Sequence, residues 1–325
     1  MLSYIVCNPS VFVQIDKSFV AGVLWNYDKG KCMATPYDLN VQCFVKHEAQ
    51  PLFADQHAPQ LLYVSHVRPS TNPHPRILHS HEHHLELLLI CEGSSEFMIH
   101  NQRRKVQQGD LVVYNAGIVH DDLTGPETDV GLYCIAASGI AVPGLKENAL
   151  IPDDAPCVYP AKERYALIRH LCEIMFETLS EDARDAEILC QSLLQSVLTA
   201  ALLTVRHMDA APSEEIAEDR ILSERVRTYI DAHYTEPINL QTIAEHLHVS
   251  PYYMSHVFKK MSGYSPIQYL LRRRIGEAQT LLISTDLPIV EIAMAVGFDT
   301  QNYFNAQFTK HVGVPPKKYR ENYVI

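Results

Sequence analysis

His79, His81, Glu86 and His120 are the side chains whose types and spacing could do metal chemistry in this chain. They lie in PRILHSHEHHLELLLICEGSSEFMIHNQRRKVQQGDLVVYNAGIVHDD, a series of short apolar stretches separated by Gly, Asn and Ser. Imidazole nitrogens and a carboxylate converging from neighbouring strands suit a divalent transition metal. The same four could instead line a metal-free pocket for a small molecule, or finish the interior as structural histidines. His83 and His84 read as loop residues at the pocket mouth, with His81-x-His83 as an alternative ligand frame. Arg76 reads as a solvated loop arginine that an anionic effector could recruit.

A second chemistry is written near the C-terminus. DLPIVEIAMAVGFDTQNYFNAQFTKHVGVPPKKYR, residues 286–320, sets the amides Gln301, Asn302, Asn305 and Gln307 among Tyr303, Phe304 and Phe308. Gln and Asn can pair bidentately with adenine in the major groove. The elements that must carry them are legible. Ile289, Ile292, Ala293 and Val296 recur at helical steps, so they share one face of a short helix. Gly297 stands where that helix should end, and Asp299 or Thr300 can cap the next one. Tyr303, Phe304 and Phe308 are assigned to the buried face of that second helix. The result is a helix-turn-helix.

The pattern occurs once before, in PINLQTIAEHLHVSPYYMSHVFKKMSGYSPIQY, residues 237–269. Ile243-Ala244 matches Ile292-Ala293 at an offset of 49. Phe258, Lys260, Gly263, Pro266 and Tyr269 match Phe308, Lys310, Gly313, Pro316 and Tyr319 at an offset of 50, so the second turn holds one more residue. Ser250-Pro251 opens the upstream second helix. Between the repeats, Tyr269, Leu270, Ile275, Ala278, Leu281 and Leu282 fall at helical spacing and predict one long joining helix.

Over residues 220–322 these features resemble the AraC/XylS family of transcription regulators. The resemblance rests on IAEHLHVSPYYMSHVFKKMSGYSP, RRRIGEAQTLL and IAMAVGFDTQNYFNAQFTKHVGVPPKKYR taken together. It implies that the second helix of each repeat enters the major groove of double-stranded promoter DNA. Base edges would then face Pro251, Tyr252, Ser255 and His256 in one repeat, and Gln301, Asn302, Asn305 and Ala306 in the other. Lys259, Lys260 and Lys310, toward the helix ends, suit phosphate contact, as do Arg272 and Arg273. Arg274 is expected to brace the repeats. Residues 79–120 resemble the two motifs of the cupin barrel: His79-x-His81, Glu86 and Gly93, then Gly109, Asn115-x-Gly117 and His120. That family usually has Pro in place of Asn115 and Asn in place of Thr124.

Composition fits this division. The net charge of −11 is unevenly placed. Residues 220–325 hold 12 Lys and Arg against 9 Asp and Glu, whereas residues 1–219 hold 15 against 29. Only the C-terminal part can approach phosphate readily. The eight cysteines are scattered singly, without a C-x-x-C, which fits buried thiols in a reducing cytoplasm. No signal peptide or membrane span is read.

The expected fold is α+β in two domains. Residues 1–158 form a cupin-like sensor barrel with an N-terminal arm, in which VFVQI, YDLNVQCFVK and LLYVSHV read as strands. Residues 159–208 form a helical dimerisation segment, with Leu167, Leu171, Ile174, Met175 and Leu179 on one side of its first helix and Leu198 at the interface. Residues 209–219 are a linker, and residues 220–325 form the all-α domain with two helix-turn-helix units. The expected function is a sequence-specific, non-enzymatic regulator that requires no cofactor. It works as a homodimer with RNA polymerase, and a small molecule in the barrel controls it. By resemblance that effector is a carbohydrate or related metabolite. A metal-dependent cupin enzyme tethered to DNA, and a ligand-free regulator whose barrel only dimerises, are the alternatives.

Overall fold

The computed structural model describes residues 53, 58–69, 76–100, 102–121, 130–181, 185–206 and 218–323, with four short strands between residues 3 and 32. The chain divides into two compact units, residues 1–51 and residues 52–325. In the first, β1 (Ser3–Asn8) pairs antiparallel with β2 (Val11–Ile15), and β3 (Trp25–Asn26) with β4 (Lys31–Cys32). The strand expected over YDLNVQCFVK, Thr124 and nearly all of the linker lie outside the described residues.

The second unit begins with β5 (Gln60–Val67), β6 (Leu85–Glu92), β7 (Ser94–Ile99), β8 (Gln102–Gln107), β9 (Asp110–Tyr114), β10 (His120–Asp121), β11 (Gly131–Ser138) and β12 (Val158–Pro160). One sheet has the order β12-β9-β6-β11-β5 and a smaller one β10-β7-β8. β6 reads LELLLICE rather than alternating, and every residue but the last is buried. A strand covered on both faces has that composition. One cover is the smaller sheet, whose Phe97, Ile99 and Val106 share a core with Leu88 and Ile90. The other is a helical pair, α1 (Tyr165–Ser180) and α2 (Ala186–Arg206). Tyr165 donates to the Cys91 carbonyl, and Gln191 accepts from Leu61 N at 3.0 Å and donates to the Pro59 carbonyl. The expected barrel is therefore a pair of sheets around one core. Among the described residues no strand pairing closes them into a ring.

The helical pair differs from expectation in which face is buried. α1 turns Ile168, Cys172 and Met175 inward, and Leu167 is 54% exposed. Leu198 is fully buried in the core of its own chain, so it is not an interface residue. The apolar side chains that α2 exposes are Ile188 and Leu189. By length and composition α2 could cross a membrane, yet Cys190, Leu194, Val197, Leu198 and Ala201 are inside the core.

The remainder is helical: α3 (Glu218–His233), α4 (Leu240–Leu247), α5 (Pro251–Ser262), α6 (Pro266–Ser284), α7 (Ile289–Ala295), α8 (Gln301–Val312) and α9 (Pro316–Tyr323). The sequence repeat is a structural repeat. Phe258 meets Tyr269 edge-on at 5.5 Å, and Phe308 meets Tyr319 the same way at 5.5 Å. Ser250 and Thr300 cap α5 and α8 by accepting from Tyr253 N and Tyr303 N. The turns solve one problem with different residues. Gly297 takes φ +90°, and His248, at the matching position, takes φ +56°. A left-handed backbone is free of steric cost for glycine and uncommon for a side-chain-bearing residue.

Leu198→Ala should lower stability by roughly 2–5 kcal/mol through the cavity it leaves. Denaturant unfolding should show this loss, and the association state should stay as in the wild type.

Candidate functional site

Two backbone hydrogen bonds, His79 N to His120 O and His120 N to His79 O, each 2.9 Å, pair these residues as an isolated β-bridge. β6 brings Glu86 to the same point, and His81 follows two residues after His79. The ligating atoms of His79, His81, Glu86 and His120 lie within 4.8 Å of one another. None of the four residues is more than 9% exposed. The structure brings together the four side chains that the sequence singled out.

Hydrogen bonds orient the rings. His79 Nδ1 lies 3.0 Å from the Ile77 carbonyl and His120 Nδ1 lies 2.9 Å from the Ile118 carbonyl. A carbonyl only accepts, so Nδ1 carries the proton in each ring. In a neutral imidazole Nε2 then holds a lone pair. Such an outer partner is what aims a metal-binding histidine. Burial holds the His79 imidazole well below its ordinary pKa, with Arg76 adding to the effect. Burial also lowers His81, although Glu86 opposes this. For Glu86 burial pushes upward, but His120 and His81 beside it hold the carboxyl well below its usual range. The carboxylate is thus ionised. Its Oε2 lies 3.2 Å from His120 Nε2, and its Oε1 lies 3.3 Å from His81 Nε2 without the alignment of a hydrogen bond.

The Nε2 atoms of His120 and His81 and the two Glu86 oxygens thus converge on one buried point. A cation at that point would take all of these atoms as ligands. Three imidazoles and a carboxylate suit a divalent transition metal, which would supply Lewis acidity. The residues present fit the group.

Sequence reasoning missed Tyr63 on β5, whose hydroxyl donates to Glu86 Oε1. Burial, then Glu86, raises its pKa and keeps that proton in place. Only the fold brings β5 opposite Glu86, so no local signal marks it. His84 stacks on His81 with centroids 4.1 Å apart, while His83 is exposed, and neither joins the four-residue cluster. Burial lowers His84 to about 4. Arg76 does not await an effector as a solvated arginine would, since Nη2 donates to Thr280 Oγ1 at 2.8 Å. Asn115, where cupins usually have Pro, is a buried clamp. Its Nδ2 donates to Ile151 O at 2.7 Å and its Oδ1 accepts from Leu150 N at 3.0 Å.

The outward faces of α5 and α8 hold the other candidate residues. Tyr252, His256, Lys259, Lys260, Gln301, Asn302, Ala306 and Lys310 are exposed, and Pro251, Ser255 and Asn305 are half-buried. The structure corrects the assignment of Tyr303 to the buried face. It is 52% exposed, and Tyr253, its counterpart at an offset of 50, is 47% exposed. The matched pair of tyrosines was the available signal. Lys260 already holds Asp219 Oδ2 at 2.8 Å, a bond a phosphate would have to displace. Arg272 and Arg273 are not open to phosphate as expected. Arg272 pairs with Asp121, and Arg273 donates to Glu277 and Ser80. Arg274 braces as expected, with Nε donating to the Tyr234 carbonyl, Nη2 to the Glu236 carbonyl and its guanidinium over Phe298.

Residues 60–198 match the AraC-like ligand binding domain, and residues 243–322 match a helix-turn-helix domain. The HTH-type transcriptional activator AarP of Providencia stuartii is 33% identical over 103 residues, 32% of this chain and 76% of that one. The chain belongs to the AraC family. It is a DNA-binding transcription regulator with a ligand-binding domain. The uncharacterized HTH-type transcriptional regulator YdiP of Escherichia coli is 27% identical over 252 residues, 75% of this chain and 81% of YdiP. The C-terminal domain of AraT, a response regulator of Geobacillus stearothermophilus, is 42% identical with a TM-score of 0.33, covering 34% of this chain and 91% of that domain. The chain spans about half the length, or less, of several other curated relatives it matches.

His81→Ala and His120→Ala should each remove a divalent metal from the purified protein. Tyr63→Phe should weaken metal affinity by roughly 10–100-fold, the usual cost of losing an outer partner. Metal content by mass spectrometry and competition with a chromophoric chelator check both.

Proposed function

We propose that this regulator senses a divalent transition metal at His79, His81, Glu86 and His120 and adjusts its hold on promoter DNA accordingly. The observation that carries the reading is the buried convergence of the ligating atoms of His79, His81, Glu86 and His120 within 4.8 Å of one another. Metal analysis of the purified protein, with a thermal-shift series of Zn2+, Ni2+ and simple sugars on stripped protein, tests it. Stoichiometric metal and a raised melting temperature support the reading. A sugar that stabilises the stripped protein while metals do not would return the pocket to a carbohydrate effector. Turnover of a bound metabolite would favour the enzyme alternative.

We further propose that two copies of the chain associate through α1 and α2 and act with RNA polymerase in the cytoplasm. Exposed Leu167, Ile188 and Leu189 support that dimer, since apolar side chains gathered on a helical pair favour burial. Ile188→Glu should shift the full chain from dimer toward monomer in sedimentation while leaving its melting temperature nearly unchanged. An unaltered dimer would place the interface elsewhere.

At the DNA, α8 divides the work along its length. Gln301 is in the first turn, where an amide reaches a base edge, and Lys310 is in the last, nearer phosphate. Gln301→Ala should cost roughly 1–3 kcal/mol on cognate DNA and flatten preference at one position. Lys310→Ala should weaken all sequences alike and reduce the salt slope by about one unit. Titrations on cognate and scrambled duplexes over a salt series separate the two.

A further inference from the structure

The histidine site and α6, the helix joining the two helix-turn-helix repeats, share a wall. The Ile77–Leu78 backbone lies directly against α6. Ile77 N donates to Gln279 Oε1 at 2.8 Å in a buried bond. Gly276 makes the approach feasible, because a Cβ there would collide with the carbonyl oxygens of Leu78 and Ile77. Ser80, between two histidines of the site, accepts from Arg273 Nη2 at 2.9 Å. Asp121, next to His120 and 1% exposed, pairs with Arg272. Arg272, Arg273, Gly276 and Gln279 recur at three- and four-residue steps, so one face of α6 is given over to these contacts. Ile77 and Leu78 are buried in the same apolar core as Tyr269 and Ile275 of α6.

We propose that this wall transmits the state of the site to the DNA-binding helices: drawing His79, His81 and His120 about a metal ion displaces Ser80 and Asp121 from α6, and the released form binds DNA more tightly. The inference rests on the metal reading above. Its sign follows from charge. In the docked form the Asp121 carboxylate occupies Arg272 and the Ser80 hydroxyl occupies one donor of Arg273. Release frees the Arg272 guanidinium for phosphate and takes the Asp121 carboxylate away, while Arg273 keeps Glu277, and phosphate attraction dominates DNA affinity. Coupling between two sites is reciprocal, so DNA must tighten metal binding by the same factor.

The test uses the full chain, Zn2+ as the probe, and a duplex that the wild type selects from a random library, at fixed salt. In the wild type Zn2+ should raise DNA affinity by about tenfold, within the usual range of such couplings. Gly276→Ala blocks docking without weakening α6, because alanine is the better helix former. Asp121→Ala removes the acceptor of Arg272 from the sensor side and leaves the DNA-binding helices untouched. Both variants should bind DNA without Zn2+ as tightly as the wild type does with it, and should stop responding to Zn2+ while still taking up one ion per chain. If the wild type binds zinc but both variants keep its affinities and its response, the shared wall is overturned and the metal site stands. If the wild type takes up no zinc, the metal reading falls. The metal-free comparison then still decides, because variants at wild-type affinity overturn the proposal. Should circular dichroism show Gly276→Ala misfolded, Asp121→Ala decides alone.

Discussion

The pairing of His79 with His120 is the contact on which both halves of the second compact unit depend. Two backbone hydrogen bonds hold residues 76–81 against the edge of the smaller sheet. Side chains alternate along a paired strand, so a single bridge serves two surfaces. His79 and His120 face the buried site, while Leu78, Ser80 and Asp121 meet α6. A slip of one residue would turn imidazoles toward the helix and a carboxylate toward the site.

Electrostatics sharpen this constraint. A buried carboxylate is costly unless its oxygens are satisfied, and Glu86 is 4% exposed. Tyr63 satisfies part of the need by donating to Oε1. The carbonyls of Ile77 and Ile118 take the Nδ1 protons of His79 and His120, which leaves the opposite nitrogens directed at the cluster. The ring of Tyr114, stacked on His120 at 3.9 Å, fixes the plane in which that nitrogen is offered.

Local and periodic features were legible in the sequence. The repeat at an offset of about 50, the caps at Ser250 and Thr300, the Gly297 turn and the joining helix all depend on neighbours a few residues away. The four site residues were legible because strand alternation and turn residues bring a short motif together. Features with distant partners were not legible. Arg272 and Arg273 read as phosphate ligands because nothing nearby shows Asp121 and Ser80, more than 150 residues away, waiting for them. Tyr303 was placed inward because an aromatic beside Phe304 looks like core, although a helix turns it to the outer face. Leu198 looked like an interface residue because composition shows that an apolar face needs a cover without showing that its own chain supplies it. Among the described residues the two sheets do not close into a barrel, and the sequence could not show this because motifs identify strands but not which edges meet.

The burial of α2 has a consequence for how the chain is made. Ala186–Arg206 is long and apolar enough to partition into a bilayer when it stands alone. What covers it is β5, β12 and α1, each of which precedes it in the chain. A ribosome delivers N-terminal segments first, and domains fold as they emerge. When α2 leaves the exit tunnel, the surface that receives it has already been synthesised. The order of elements along the chain thus makes the cover for this helix available from its own protein by the time the helix emerges.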